Sequence, residues 1–138
     1  YTITVKTVSG SGVVLPIGST SLVYSDGTNV SLGIRNKGYV TLNSSTITAY
    51  TAVDGDQIFA NTTANPITVT LPASPAVGSE VTFIDARGTF ANNSLIVNRN
   101  SQPINSGTSN LTLNTNGQAF TLVYVDATRG WAYKTNTA

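Results

Sequence analysis

The sequence predicts an all-β fold, built from small antiparallel β-sandwich or barrel-like modules in tandem, and three observations predict it. Short runs of β-branched and aromatic residues recur between Gly, Pro, Asn and Asp punctuation. No window of helical length carries apolar residues at i, i+3, i+4 and i+7 without an intervening Gly, Pro or Asn-rich break. The spacing of the runs is roughly that of a sandwich or barrel.

In chain order, Tyr1-Thr2-Ile3-Thr4-Val5-Lys6-Thr7 alternates apolar and polar residues, which puts Tyr1, Ile3 and Val5 on one strand face. Ser9-Gly10-Ser11-Gly12 breaks it. Val13-Val14-Leu15 is a short apolar run stopped by Pro16, and Gly18 leads into Ser21-Leu22-Val23-Tyr24, closed by the turn signal Asp26-Gly27. Four short strands fit before about residue 35. Residues 36–47 are polar and turn-rich and read as a junction. A second strand-rich block follows, with strands expected at 57–61, 67–71, 80–85, 94–99, 110–113, 119–125 and 131–134. The division expected is thus 1–35 as the C-terminal part of a preceding β module, 36–47 as the junction, and 48–138 as a complete module.

Within the second block, Leu71-Pro72-Ala73-Ser74-Pro75 ends a strand with two prolines that deny ladder donors and fix φ, and Gly78 permits the turn into Glu80. Phe59, Ile67, Val69, Leu71, Val81, Phe83, Leu95, Val97, Leu111, Leu113, Leu122 and Tyr124 fall at alternating strand positions and are the expected core. Each large one stabilises the fold by about 1.5–3 kcal/mol on burial.

Composition excludes whole classes of chemistry. The 138 residues include no His, Cys or Met. A Ser-His-Asp or Cys-His nucleophile, a thiolate or imidazole metal site, and a disulfide framework are therefore impossible within them. Seven basic and six acidic side chains give a net charge of +1, with the basic residues scattered. They form no stripe that could follow a phosphate backbone, so nucleic acid is not expected as a partner. No run approaches the roughly 18 apolar residues of a membrane span. Thr (22), Ser (14) and Asn (14) replace charges on the surface, unlike an ordinary globular chain in which about a quarter of residues are charged. Tyr1 opens inside a strand pattern with neither an initiator Met nor a leader before it, which suggests a piece of a longer polypeptide.

One internal echo stands out. Leu22-Val23-Tyr24-Ser25-Asp26-Gly27-Thr28 is matched by Leu122-Val123-Tyr124-Val125-Asp126-Ala127-Thr128, a displacement of 100 residues (124 minus 24) that keeps Leu, Val, Tyr, Asp and Thr. Each copy follows a glycine, Gly18 or Gly117. The pattern reads as the closing hairpin of one module used twice, and repeated β modules in series belong to elongated architectures.

The second block, from Thr51-Ala52-Val53-Asp54-Gly55-Asp56-Gln57-Ile58-Phe59-Ala60-Asn61 through Ile67-Thr68-Val69-Thr70-Leu71-Pro72 and Glu80-Val81-Thr82-Phe83-Ile84-Asp85 to Trp131, resembles a module of tailed-phage virion proteins. The likeness covers roughly residues 48 to 134, and the opening block resembles the end of related tail-fibre and baseplate-fibre modules. The resemblance implies a structural segment of a tail fibre, tail spike or baseplate-associated fibre, usually a homotrimer, located in the virion and outside cells. It implies neighbouring tail or baseplate proteins as partners, no enzymatic activity, no cofactor, and no catalytic or binding positions to carry over. Hydroxyl-rich faces suit identical chains packed side by side, and oligomerisation would cover strand edges that are a liability in a monomer.

Candidate chemistry is sparse. Asp54-Gly55-Asp56 is the best acidic pair, for Ca²⁺ or for glycosidase work, but residues 54–65 end in Asn65, where an EF-hand needs Glu, so an Asx-type turn is the favoured reading. No metal site is expected. Asp85 with Arg87, and Asp126 with Arg129, read as turn-side ion pairs worth at most about 1 kcal/mol. Trp131, the sole Trp, and Tyr133 lie two apart on one strand face. They are the ligand-binding candidates of the alternative reading, a carbohydrate-binding module that takes a host surface glycan; packing is the favoured reading of both. A hydrolase using Asp54, Asp56 or Asp85 is the third. Tyr39 and Tyr50 receive no role.

Overall fold

The computed structural model describes residues 3–10, 12–15, 23–25, 27–32 and 38–134. Pro16, Gly18, Leu22, Asp26 and residues 33–37 of the sequence-level reading lie outside them. The chain divides into two units, Tyr1–Asn36 and Lys37–Ala138. Every element found is a strand.

The first unit holds β1 (Ile3–Lys6), β2 (Gly12–Leu15), β3 (Val23–Ser25) and β4 (Val30–Leu32). They form two antiparallel hairpins, β1 with β2 and β3 with β4. The hairpin turns are fastened to each other: Thr7 Oγ1 donates to the Thr28 carbonyl and accepts the Gly10 N–H at 3.0 Å. A Cβ at Gly10 would stand 1.5 Å from the Thr28 carbonyl oxygen, so the approach requires glycine.

The second unit holds β5 (Tyr39–Asn43), β6 (Ala49–Thr51), β7 (Gln57–Asn61), β8 (Ile67–Thr70), β9 (Glu80–Asp85), β10 (Leu95–Asn98), β11 (Leu111–Leu113), β12 (Ala119–Asp126) and β13 (Gly130–Tyr133). The stretch 36–47, expected as a junction, instead carries β5. Its Leu42 is buried and its backbone pairs with β7 from Tyr39↔Gln57 to Asn43↔Asn61. Thr41 and Asn43 occupy the outward face of this edge strand, which is why composition alone resembled a linker.

Two sheets result, ordered β13-β12-β9-β7-β5 and β11-β10-β8-β6. They are mixed, not antiparallel as expected. From β5 to β10 the chain places alternate strands in alternate sheets, so each strand returns to its own sheet in the same direction, and β5–β7, β7–β9, β6–β8 and β8–β10 are all parallel. The crossover that parallel pairing requires, commonly a helix, is here a strand of the opposite sheet. Hairpins then close both sheets: β11 runs antiparallel to β10, and β12 to β9 and β13.

The inner faces of both sheets meet in one core containing Leu42, Ile58, Val69, Val81, Phe83, Phe90, Leu95, Leu122 and Trp131. Among the expected core residues, Phe59 faces outward and Leu111 is only partly buried. Outward positions of the smaller sheet carry Thr51, Thr68, Thr70 and Thr112. Buried hydroxyls act as turn fasteners: Ser44 Oγ accepts Ala64 N–H and Asn65 N–H at 3.0 and 3.1 Å, and Thr62 bonds Thr89 at 2.9 Å.

The echo has a structural counterpart. Val23 pairs with Leu32 and Tyr24 with Ser31, while Val123 pairs with Ala132 and Tyr124 with Trp131, so both members of each pair are displaced by 100 residues. Preceding each hairpin is another antiparallel strand pair, Ile3↔Leu15 to Val5↔Val13 in one unit and Leu95↔Leu113 to Val97↔Leu111 in the other.

Candidate functional site

The Asp54-Gly55-Asp56 turn precedes β7 and ties it to β9. Asp54 Oδ1 accepts the Glu80 N–H at 2.9 Å, Gly55 N–H donates to the Glu80 carbonyl, and Asp56 Oδ2 accepts both the Val53 N–H and the Tyr50 hydroxyl at 2.9 Å. Asp56 is only 4% exposed. Burial pushes the Tyr50 pKa up to about 12, assisted by its hydrogen bond to Asp56 and by that carboxylate's charge. Both carboxylates of the pair are thus engaged in building the turn, and Tyr50 supplies a partner from β6 that the sequence did not reveal.

Asp85 ends β9 and faces a ring of main-chain donors. Its Oδ1 accepts Arg87 N–H and Thr89 N–H at 3.2 and 3.1 Å; its Oδ2 accepts Phe90 N–H and Gly117 N–H at 3.3 and 3.0 Å. Burial opposes its charge, yet the N–H groups of Gly117, Thr89, Phe90 and Arg87 outweigh that penalty and hold its carboxyl below the usual range. Asp126 likewise accepts main-chain donors, its Oδ1 taking Thr128 N–H at 2.8 Å and Arg129 N–H at 2.6 Å. In place of the side-chain ion pairs expected at 85/87 and 126/129, the main-chain N–H groups of the two arginines are the partners. Among the described residues no three Asp or Glu side chains converge on a point where a metal ion could sit.

Trp131 and Tyr133 share the inner face of β13, as their spacing implied, but with different outcomes. Trp131 is 0% exposed and meets Tyr124 edge-on with ring centroids 5.6 Å apart. Its buried Nε1 has no hydrogen-bond partner. With both ring faces inside the core, Trp131 offers a ligand nothing to stack on. Tyr133 lies further along the same face, 39% exposed and edge-on to Phe120.

The exposed aromatic surface is elsewhere, on the outer face of β5 and β7. Tyr39 is 72% exposed and stacks on Phe59, ring centroids 5.7 Å apart and 26° between planes. Parallel register puts Gln57 beside Tyr39, Thr41 beside Phe59, and Asn43 beside Asn61. The signal was present in Gln57-Ile58-Phe59-Ala60-Asn61: Phe59 has the parity of two amide residues, while Ile58 and Ala60 take the inner face.

Compared with known proteins, the chain matches no family model and no curated protein sequence. Functional argument therefore rests on its own residues.

Proposed function

We propose that this chain is a structural segment of a tailed-phage fibre: part of a tail fibre, tail spike or baseplate-associated fibre that links the particle to its receptor-binding part. It works without catalysis, as stacked β modules in a homotrimer at the virion surface. Residues 1–35 supply the closing strands of one module, and the second unit supplies the next.

The observation that carries this reading is the shared register of the two closing hairpins, Tyr24↔Ser31 and Tyr124↔Trp131, in strands whose sequences echo each other. A hairpin repeated in series along a chain is the pattern of elongated repeat architectures. The resemblance of residues 48–134 to virion modules supplies the setting. The chemistry agrees: Asp54, Asp56, Asp85 and Asp126 all bind main-chain donors, so the carboxylates a hydrolase would use are employed as fasteners. The carbohydrate reading based on Trp131 loses its support with the burial of that ring.

Function here is mechanical. Hydroxyl-bearing outer faces let sister chains pack without charge repulsion, and pairing or covering strand edges gives resistance to unfolding outside a cell. The test is the solution mass of the purified chain by light scattering. Three chains per particle is the expected result, and a single-chain mass at every concentration overturns the fibre reading.

A further inference from the structure

From the outer face of β5 and β7, we infer a binding platform for a neutral saccharide, centred on Tyr39 and Phe59. Tyr39 lies against Phe59 on one face and is 72% exposed, so its other face is what solvent meets. An exposed flat ring held in place by a second ring is a preorganised surface for an apolar C–H face, with little freedom left to lose on binding.

Its surroundings define the partner. Between β5 and β7 the neighbours in register are Gln57, Thr41, Asn43 and Asn61, each an uncharged donor or acceptor, and on the far side of β7 the β9 residues Thr82 and Ile84 follow Gln57 and Phe59. Asn43 Oδ1 accepts Ser45 N–H at 3.1 Å, and Asn61 Oδ1 accepts Thr63 Oγ1–H at 2.6 Å. These bonds fix both amides by their oxygens and leave each Nδ2 with no acceptor among the described residues. The Tyr39 hydroxyl and the Gln57 amide are likewise without partners among them. A ligand that suits this patch has one apolar face, several hydroxyls and no charge, which is the chemistry of a neutral sugar ring. Among the described residues the patch holds no cation for an anionic ligand, and an aliphatic one would strand its amides.

Size favours a small ligand over a second copy of the chain. Stable protein interfaces use about 20 residues or more from each side, whereas this patch comprises six on two adjacent strands. The inference does not depend on the fibre reading, since all six residues belong to the second unit.

The test is calorimetric titration of the chain with linear hexasaccharides of glucose, galactose and N-acetylglucosamine, alongside Tyr39→Ala and Thr112→Ala. Thr112 lies on the outer face of the other sheet and serves as the control. Saturable binding of at least one hexasaccharide is expected, weakened about tenfold or more by Tyr39→Ala and left within a few-fold by Thr112→Ala. The emission of the buried sole Trp, Trp131, reports that each variant is folded. No saturable binding by any of the three sugars overturns the inference, as does binding that survives Tyr39→Ala. A change of mass in Tyr39→Ala without binding in the parent chain also overturns it, by assigning the ring to self-association. A single-chain mass with intact sugar binding would sink the fibre reading and leave the platform standing.

Discussion

Asp85 shows how this protein uses its few charges. One carboxylate receives N–H groups from Arg87, Thr89, Phe90 and Gly117, joining the end of β9 to the loop that follows it and to the turn before β12. Hydrogen bonds to an ionised acceptor contribute about 1.5–3 kcal/mol. Because its folded pKa is depressed, the stability it contributes is fully present above the unfolded carboxylate value of about 3.9 and is lost as pH falls through the lower folded value. Asp85→Asn presents an NH₂ group to two of those donors. It is expected to lower stability at neutral pH by about 2–3 kcal/mol and to flatten the acid limb of the stability profile. Urea unfolding of both proteins from neutral pH to below pH 3 measures this; an unchanged acid limb in the variant would assign the pH dependence to another group. Tyr50 carries the opposite sign. With its pKa raised to about 12, the stability it contributes is complete below about 10 and disappears as pH rises through 12.

At the scale of elements, the two ends of the larger sheet are finished differently. β13 is an edge strand, yet its free side is occupied by residues 103–106: Trp131 N–H donates to Pro103 O at 2.9 Å, Asn105 N–H to Trp131 O and Ser106 N–H to Arg129 O, both at 2.8 Å. This strap turns back at Asn105 and Ser106, both left-handed at φ 47° and 64°, between Ile104 and Gly107, which pair as an isolated bridge. The strap therefore protects an edge that would otherwise template association. Gly130 makes it possible, with φ at 70° and a Cβ position 1.9 Å from the Pro103 oxygen. Gly130→Ala should displace the strap and cost at least about 2 kcal/mol, read as a lower urea midpoint together with faster amide exchange at Trp131 and Asn105. Unchanged exchange there would mean that the strap does not rest on Gly130.

For the whole molecule, the alternation of strands between sheets makes nearly every pairing in the second unit non-local. Tyr39 pairs with Gln57, Gln57 with Thr82, and Ile67 with Leu95. Loop closure must precede the reward of each ladder, so refolding should fall in the millisecond-to-second range or slower, as for other non-local β folds. Stopped-flow recovery of Trp131 emission tests this, and complete recovery in microseconds would be incompatible with the two-sheet winding.

The division between sequence and structure follows from what each kind of interaction spans. Strand positions from residue 57 onward, the turn residues, and Ile67, Val69, Val81, Phe83, Leu95, Val97 and Leu122 in the core were legible, because alternation and Gly or Asn punctuation act over a few residues. So was the doubled hairpin, through its repeated Leu-Val-Tyr. Strand direction was not, since an alternating pattern is equally at home in a parallel or an antiparallel ladder. The membership of β5 was hidden by its polar outer face, and the parity of β7 by the size of Phe59. Tyr39 acquires a role only when residues 18 positions away come into register beside it, and Trp131 loses its proposed role when Tyr124 and the opposite sheet cover its ring. Local backbone preference is written residue by residue; partner, direction and burial depend on which distant segment arrives, and the packing of the whole chain alone decides that.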